Sequence, residues 1–288
     1  MKGLKTLAAL ALMLSAAVSL RAEIRLPAFF ADNMVLQQQT QANLWGWASP
    51  SKTVTVKTGW DGKTYTTTAA ADGKWKLAVE TPVAGGPYDL TISDGQPLTL
   101  KNVLIGEVWV CSGQSNMEMP MKGFKMQPVE GANMDAAYSR NPRIRLFTVG
   151  LNSQTTPQDT VKGHWSEACA ESVREFSATA YYFGRMLNRV LDGVPVGLIV
   201  TAWGGSACEA WMNPAWLKPE WMKNYKYPVP APGGKIPSKN RTATVLYNGM
   251  LHPLIGYTMR GVIWYQGESN AATYATYEKL LQRMVASW

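Results

Sequence analysis

The sequence predicts an α/β protein: a parallel sheet covered by helices, incomplete at its carboxyl end and preceded by a small β-sandwich. Three observations carry this. Short β-branched or alternating runs separated by turn dipeptides fill residues 24 to 103, the texture of an all-β domain. Three near-continuous apolar runs follow at residues 103–111, 196–202 and 261–265, as expected of strands buried on both faces. An amphipathic stretch lies between the first two, and strand–helix–strand alternation implies a parallel sheet.

Taken in order, the chain opens with Lys2 and Lys5 ahead of an Ala/Leu-rich run over 7–20, then Arg21 and Ala22. A basic start, a short apolar centre and a small residue describe a secretory signal over residues 1–22. Leu20 is the imperfect feature, since a small residue is preferred there. The run is too short for a membrane span of about 20 residues, so the expectation is export to the periplasm or the exterior, with no membrane attachment once the signal is removed.

Residues 23–103 form the β region. Its strand runs are Trp45-Gly46-Trp47 and residues 53–56, 65–67, 75–79 and 88–92, set apart by Asp61-Gly62, Asp72-Gly73, Gly85-Gly86-Pro87 and Asp94-Gly95. These turns read as hairpins rather than as Ca²⁺ loops.

Residues 104–288 form the second region. Within it, Ala180, Phe183, Leu187, Val190 and Leu191 fall at helical spacing over 176–191, and Gly193 and Pro195 supply the stop. Residues 213–240, rich in Pro, Trp and Tyr, form either an aromatic rim able to stack on sugars or a loop packed on its own side chains. A last helix starts at Tyr274, and no Gly or Pro closes it.

The 288 residues allow about two domains, and 46% hydrophobic content with 10% aromatics excludes disorder as the main theme. The formal charge of +8 includes Lys2, Lys5 and Arg21 of the signal, and the remaining basic residues are scattered. Nucleic-acid binding would need a stripe on one face, so a solvated surface is expected. Cys111, Cys169 and Cys208 lack C-x-x-C spacing, which argues against zinc. Export permits disulfides, but an odd count leaves at least one thiol free, and Cys111 reads as core. Only His164 and His252 can supply an imidazole.

Each of the three apolar strands runs into a polar, Gly-containing turn: Ser112-Gly113-Gln114-Ser115-Asn116, Gly204-Gly205-Ser206 and Gln266-Gly267-Glu268-Ser269-Asn270. Ligands of open parallel sheets bind beyond the carboxyl ends of the strands, so the three turns are expected to converge on one site. Ser115 is the candidate nucleophile, presented by a tight turn at Gly113. Taken alone, such a turn is a loop. Gly-x-Ser-x-Gly is not matched, and neither glycine-rich phosphate motif occurs.

The runs Val110-Cys-Ser-Gly-Gln-Ser-Asn-Met-Glu-Met119, Ala202-Trp-Gly-Gly-Ser206 with Glu209 and Trp211, and Ile263-Trp-Tyr-Gln-Gly-Glu-Ser-Asn270 closely resemble sialate O-acetylesterases, serine carbohydrate esterases of the SGNH hydrolase superfamily. Asp32-Asn-Met-Val-Leu-Gln37 resembles the opening of the β domain in bacterial members. The resemblance implies an SGNH-type, flavodoxin-like three-layer sandwich and removal of O-acetyl groups from sialic acid or another acetylated glycan through an acyl-enzyme. It implies Ser115 as nucleophile and an oxyanion hole from the Ser115 N–H, a glycine N–H at Gly204-Gly205 (Gly205 the preferred one) and the Gln266 side chain. Gln114, Asn116, Gly204, Glu209, Glu268 and Asn270 are implied as substrate-binding or site-shaping residues, and neither metal nor cofactor is required.

Two other readings remain open on the residues. Glu209 and Glu268 admit a glycosidase with paired carboxylates, and the aromatic loops admit a non-catalytic glycan-binding protein. A serine esterase also needs a base, which in the family comes from an Asp-x-x-His element near the carboxyl end. No such element is present, and neither His164 nor His252 lies in that context. The expectation is therefore a piece of a longer protein that hydrolyses esters poorly by itself.

Overall fold

The computed structural model describes residues 23–288; the secretory-signal reading of residues 1–22 lies outside them. The first seven strands are β1 (Val35–Gln37), β2 (Gln41–Trp47), β3 (Thr53–Thr58), β4 (Thr64–Thr68), β5 (Lys74–Glu80), β6 (Gly85–Ser93) and β7 (Pro97–Gly113). Helices α1 (Ser115–Glu118) and α2 (Ala132–Ala137), strands β8 (Asn141–Thr148) and β9 (Trp165–Ala168), and helices α3 (Ala170–Glu175) and α4 (Ala178–Val190) come next. They are followed by β10 (Val196–Ala202), the short α5 (Pro219–Met222), β11 (Gly261–Tyr265) and α6 (Tyr274–Ser287).

β7 belongs to both halves of the molecule. Its first part lies antiparallel to β6 and parallel to β1, in a sheet that continues through β3 to β4. Its last seven residues pair in parallel with β10 on one edge, and its last five with β11 on the other. The second sheet continues from β10 to the parallel β8 and then to the antiparallel β9. β2 and β5 form a separate antiparallel pair.

The changeover in β7 falls at Gly106, where an added Cβ would sit 2.0 Å from the Pro195 carbonyl oxygen. Gln38 N–H donates to Gly106 O and Glu107 N–H donates to Pro195 O. Only a residue without a side chain lets the incoming end of β10 approach so closely.

Apolar side chains cover both faces of the second sheet. One face packs Cys111, Leu146, Leu198 and Val200 against Met117, Phe176, Ala180 and Tyr181. On the other, Val108, Val110 and Ile199 join Trp211, Tyr247, Leu280 and Met284, in a core that runs on into Val54, Leu90 and Ile105 of the first sheet. The two regions thus share one core and one strand across residues 103 and 104.

β10 and β11 have the bounds expected from their apolar runs. β7 is longer than the expected 103–111, because its first residues alternate with exposed ones and lack a continuous apolar signal. α4 starts at Ala178 rather than 176, since the Ser177 hydroxyl accepts the Ala180 N–H at 3.1 Å and caps the helix there. β8 and β9 were not anticipated. Pro142 and two arginines disguise β8, and Arg145 within it is only 2% exposed. Its guanidinium donates to Asn33 and Asn102 and its Nε to Pro142 O, so a charged residue fills a core position.

Among the described residues no helix is long and apolar enough to cross a membrane. All three cysteines are free thiols.

Candidate active site

The strand register brings the three polar turns to one level. Gly113 at the end of β7 lies opposite Ala202 of β10 and Tyr265 of β11. Beyond the ladders, Trp203 N–H donates to Gly113 O at 3.1 Å and Gln114 N–H to Tyr265 O at 3.0 Å. Gly113 has φ +145°, and a Cβ there would lie 2.1 Å from Tyr265 O. The tight junction therefore requires glycine.

Ser115 opens α1 and is half-buried. Among the described residues its hydroxyl has no hydrogen-bond partner, and the N–H groups of Ser115 and Asn116 have no acceptor. Gly204 stands beside it: a Cβ at Gly204 would be 3.7 Å from the Ser115 Cβ and 2.8 Å from Glu118 Oε2.

The glycine turn is held at three points. Gly204 N–H donates to Glu118 Oε2 at 2.5 Å, Asn240 Nδ2 donates to Gly204 O at 2.7 Å, and Arg241 Nε donates to Gly205 O at 3.1 Å. Ser206 N–H turns back to Trp203 O and Ala207 N–H reaches Asn240 O. Among the described residues, Gly205 is left as the member of this turn whose N–H has no acceptor. Burial pushes the Glu118 carboxyl upward, and the Gly204 N–H pulls it back in part.

Beneath the turns lies a buried polar network centred on Asn270, 2% exposed. Asn270 Oδ1 accepts from Cys208 N–H at 2.9 Å and Gln266 Nε2 at 2.7 Å, while Nδ2 donates to Glu209 Oε2 at 2.9 Å and Thr273 Oγ1 at 3.2 Å. Glu209 is equally buried, and desolvation raises its carboxyl above the usual range despite the Asn270 amide. At the rim, Gln114 Oε1 accepts Ser269 N–H at 3.1 Å and Asn116 Nδ2 donates to Glu268 Oε1 at 2.6 Å.

The structure thus gathers Gln114, Ser115, Asn116, Gly204, Gly205, Gln266, Glu268 and Asn270 around the strand ends, with Glu209 below them. Two expectations need adjustment. Gln266 gives its Nε2 hydrogens to Ser206 O and Asn270 Oδ1 and so offers no free donor as arranged, while its buried Oε1 has no partner among the described residues. The glycosidase pairing is not formed either, because Glu209 is sealed in the network while Glu268 is exposed.

Neither histidine joins the turns. His252 Nδ1 lies 3.0 Å from Gln158 O. His164 lines a separate cleft of about 790 Å³, with Arg140, Ser166 and Phe176, on the side of β9 and α3.

Sequence reasoning missed Glu118, Asn240 and Arg241 as parts of the site. Glu118 was within reach, since three residues after Ser115 on a helix is the same face. Asn240 and Arg241 lie 36 residues from their glycine partners in a loop without a motif.

Residues 105–288 match a family model described as carbohydrate esterase, sialic acid-specific acetylesterase. The chain is 33% identical over 262 residues to the sialate O-acetylesterase of Homo sapiens, an alignment covering 85% of this chain and 49% of that protein. Identity to the sialate O-acetylesterase of Mus musculus is 31% over 302 residues, covering 90% and 55%. The crystal structure of a carbohydrate acetylesterase from Xanthomonas citri superposes with a TM-score of 0.79 at 35% identity, covering 92% of this chain and 57% of that one. The chain therefore spans about half the length of the curated relatives it matches. With the family model covering the whole region that carries the three turns, this chain belongs to the sialic acid-specific acetylesterase family of carbohydrate esterases.

Proposed function

We propose that the three turns form the acyl-transfer site of an exported carbohydrate esterase that removes O-acetyl groups from sialic acid or another acetylated glycan. The observation that carries the reading is the unpartnered Ser115 hydroxyl beside a glycine turn, with free N–H groups at Ser115 and Gly205. In this reading the Ser115 oxygen attacks the acetyl carbonyl and loses its proton to a base. The developing oxyanion takes the two N–H groups as donors, and loss of such a donor typically costs about 10²–10³ in rate. The sugar alcohol departs with a proton, and water then cleaves the acetyl-serine to acetate.

Gln266 joins as a third donor only by exchanging one of its present bonds. Glu209 and Asn270 support the floor, while Gln114, Asn116 and Glu268 shape the rim. The fold is read as SGNH-type, with residues 23–103 as an accessory region and 1–22 as the export signal. Neither His164 nor His252 is the base: one faces the β9 cleft and the other is tied to Gln158 O.

The test is acetate release from O-acetylated sialic acid and acetylated xylan by the full-length protein, since neither His164 nor His252 lies at the turns to serve as base. Ser115→Ala should abolish it, while His164→Ala and His252→Ala should leave it unchanged. Undiminished release by Ser115→Ala would overturn the esterase reading, and glycan binding without acetate release by any form would favour a binding protein.

A further inference from the structure

A trans peptide is planar, and its C=O and N–H point in opposite directions. The Gly204–Gly205 peptide therefore carries the Gly204 oxygen on one side and the Gly205 N–H on the other. Whatever grips that oxygen aims that N–H. The grip is the Asn240 side-chain amide, whose Nδ2 stands 2.7 Å from Gly204 O. Asn240 is itself steadied, since its Oδ1 accepts from Ser238 Oγ at 3.1 Å and its backbone oxygen accepts Ala207 N–H at 3.3 Å.

A Gly-Gly peptide needs such a grip. Without Cβ atoms to restrict φ and ψ, it can rotate as a unit at little cost. Rotation by half a turn would put a carbonyl oxygen where the N–H had been, and an acceptor there would repel an oxyanion. The flanking groups are already spent, Gly204 N–H on Glu118 and Gly205 O on Arg241, so the middle peptide is the one that Asn240 decides. A bond to the carbonyl also polarises the peptide and makes the N–H at its far end a better donor.

We propose that Asn240 is a positioning residue, which holds the Gly204–Gly205 peptide with its N–H presented to the oxyanion formed at Ser115. The proposal rests on the esterase reading above. It assigns the loop after residue 236 a part in transition-state stabilisation without contact with substrate.

The experiment compares the intact protein with Asn240→Ala, Asn240→Asp and Ser115→Ala. It follows kcat and KM on 4-nitrophenyl acetate and the affinity for methylboronic acid, whose tetrahedral adduct on a serine places an oxygen in the oxyanion position. Asn240→Asp is nearly isosteric and can still accept from Ser238, but it cannot donate to Gly204 O. Both Asn240 variants should lower kcat by about 10- to 100-fold, less than or equal to loss of a whole donor, with KM within about twofold. Boronate affinity should fall in parallel, and the melting temperature should stay near wild type. Wild-type kcat and boronate affinity in either variant, with Ser115→Ala inactive, would overturn the positioning role and leave the esterase reading intact. A rise in KM with a fall in melting temperature, at unchanged boronate affinity, would show a merely structural residue and overturn it too. Acetate release that survives Ser115→Ala would instead count against the esterase reading.

Discussion

Replacing Asn270 by alanine should be among the most costly single changes in the floor of the site, and its cost can be worked from the hydrogen bonds. The side chain makes four, to Cys208 N, Gln266 Nε2, Glu209 Oε2 and Thr273 Oγ1. Thr273 keeps its own bond, since its hydroxyl already donates to the Asn270 backbone oxygen at 3.3 Å. The other three groups lose a partner, and each buried orphan costs about 1–3 kcal/mol. Allowing for partial relaxation, Asn270→Ala should lower stability by about 3–5 kcal/mol, read as a shift in the urea midpoint at unchanged slope. The melting temperature should fall by roughly 6–15 °C for a chain of this size.

A double-mutant cycle sharpens the test. Glu209→Gln keeps an acceptor for the Asn270 amide but removes the charge that Asn270→Ala would strand. The double variant should therefore be more stable than the sum of the single effects predicts, by about 1 kcal/mol or more. A loss below about 1 kcal/mol for Asn270→Ala, or strict additivity in the cycle, would refute the idea that the network holds up the floor.

Other outcomes follow from the same geometry. The Glu209 and Glu118 carboxyls are both raised above their usual 4.5 by burial, so the folded state holds these protons more tightly than the unfolded chain does. Their contribution to stability is fully present below pH 4.5 and is lost as pH rises through the raised values. Glu209→Gln should thus gain stability relative to wild type at pH 7–8 and show no gain near pH 4, in thermal melts across that range. Gly113→Ala should cost more than about 3 kcal/mol, because its Cβ would lie 2.1 Å from Tyr265 O; denaturant titration measures this, and a mild loss would mean that the junction can open. Of the free thiols, Cys111 and Cys208 are buried and pushed well above the ordinary cysteine range. A disulfide reagent should therefore label the partly exposed Cys169 rapidly in the native protein and reach all three only after denaturation.

The parts of the fold legible in the sequence were those whose signal is local. Residues 196–202 and 261–265 are near-continuous apolar runs, and the structure makes them strands over those residues. Convergence of the three turns followed from sheet topology, since ligand sites of parallel sheets gather where strands end. What was not legible depends on partners far along the chain. β8 hides because Arg145, normally a surface residue, is paired with the Glu167 carboxylate at 3.2 Å and hydrogen-bonded by acceptors on Asn33 and Asn102. Asn240 has no motif, and its place is set only when the loop folds back onto Gly204. Gln266 illustrates the opposite case: its presence at the site was foreseen, but the assignment of its amide hydrogens depends on Ser206 O and Asn270 Oδ1.

The continuity of β7 has a mechanical consequence. Seventeen residues of strand run through both sheets and bend once at Asn102, whose φ is +57° and where the pairing with β6 shifts register; the strand is held along its first part by β6 and β1 and along its last by β10 and β11. Past that bend the strand ends at Gly113, two residues before Ser115, with no linker between. Residues 104–106, which pair with β1, lie past that bend on the same stretch of strand as the serine turn, so a shift of β1 is carried to Ser115 while a tilt of β6 is taken up in part at Asn102.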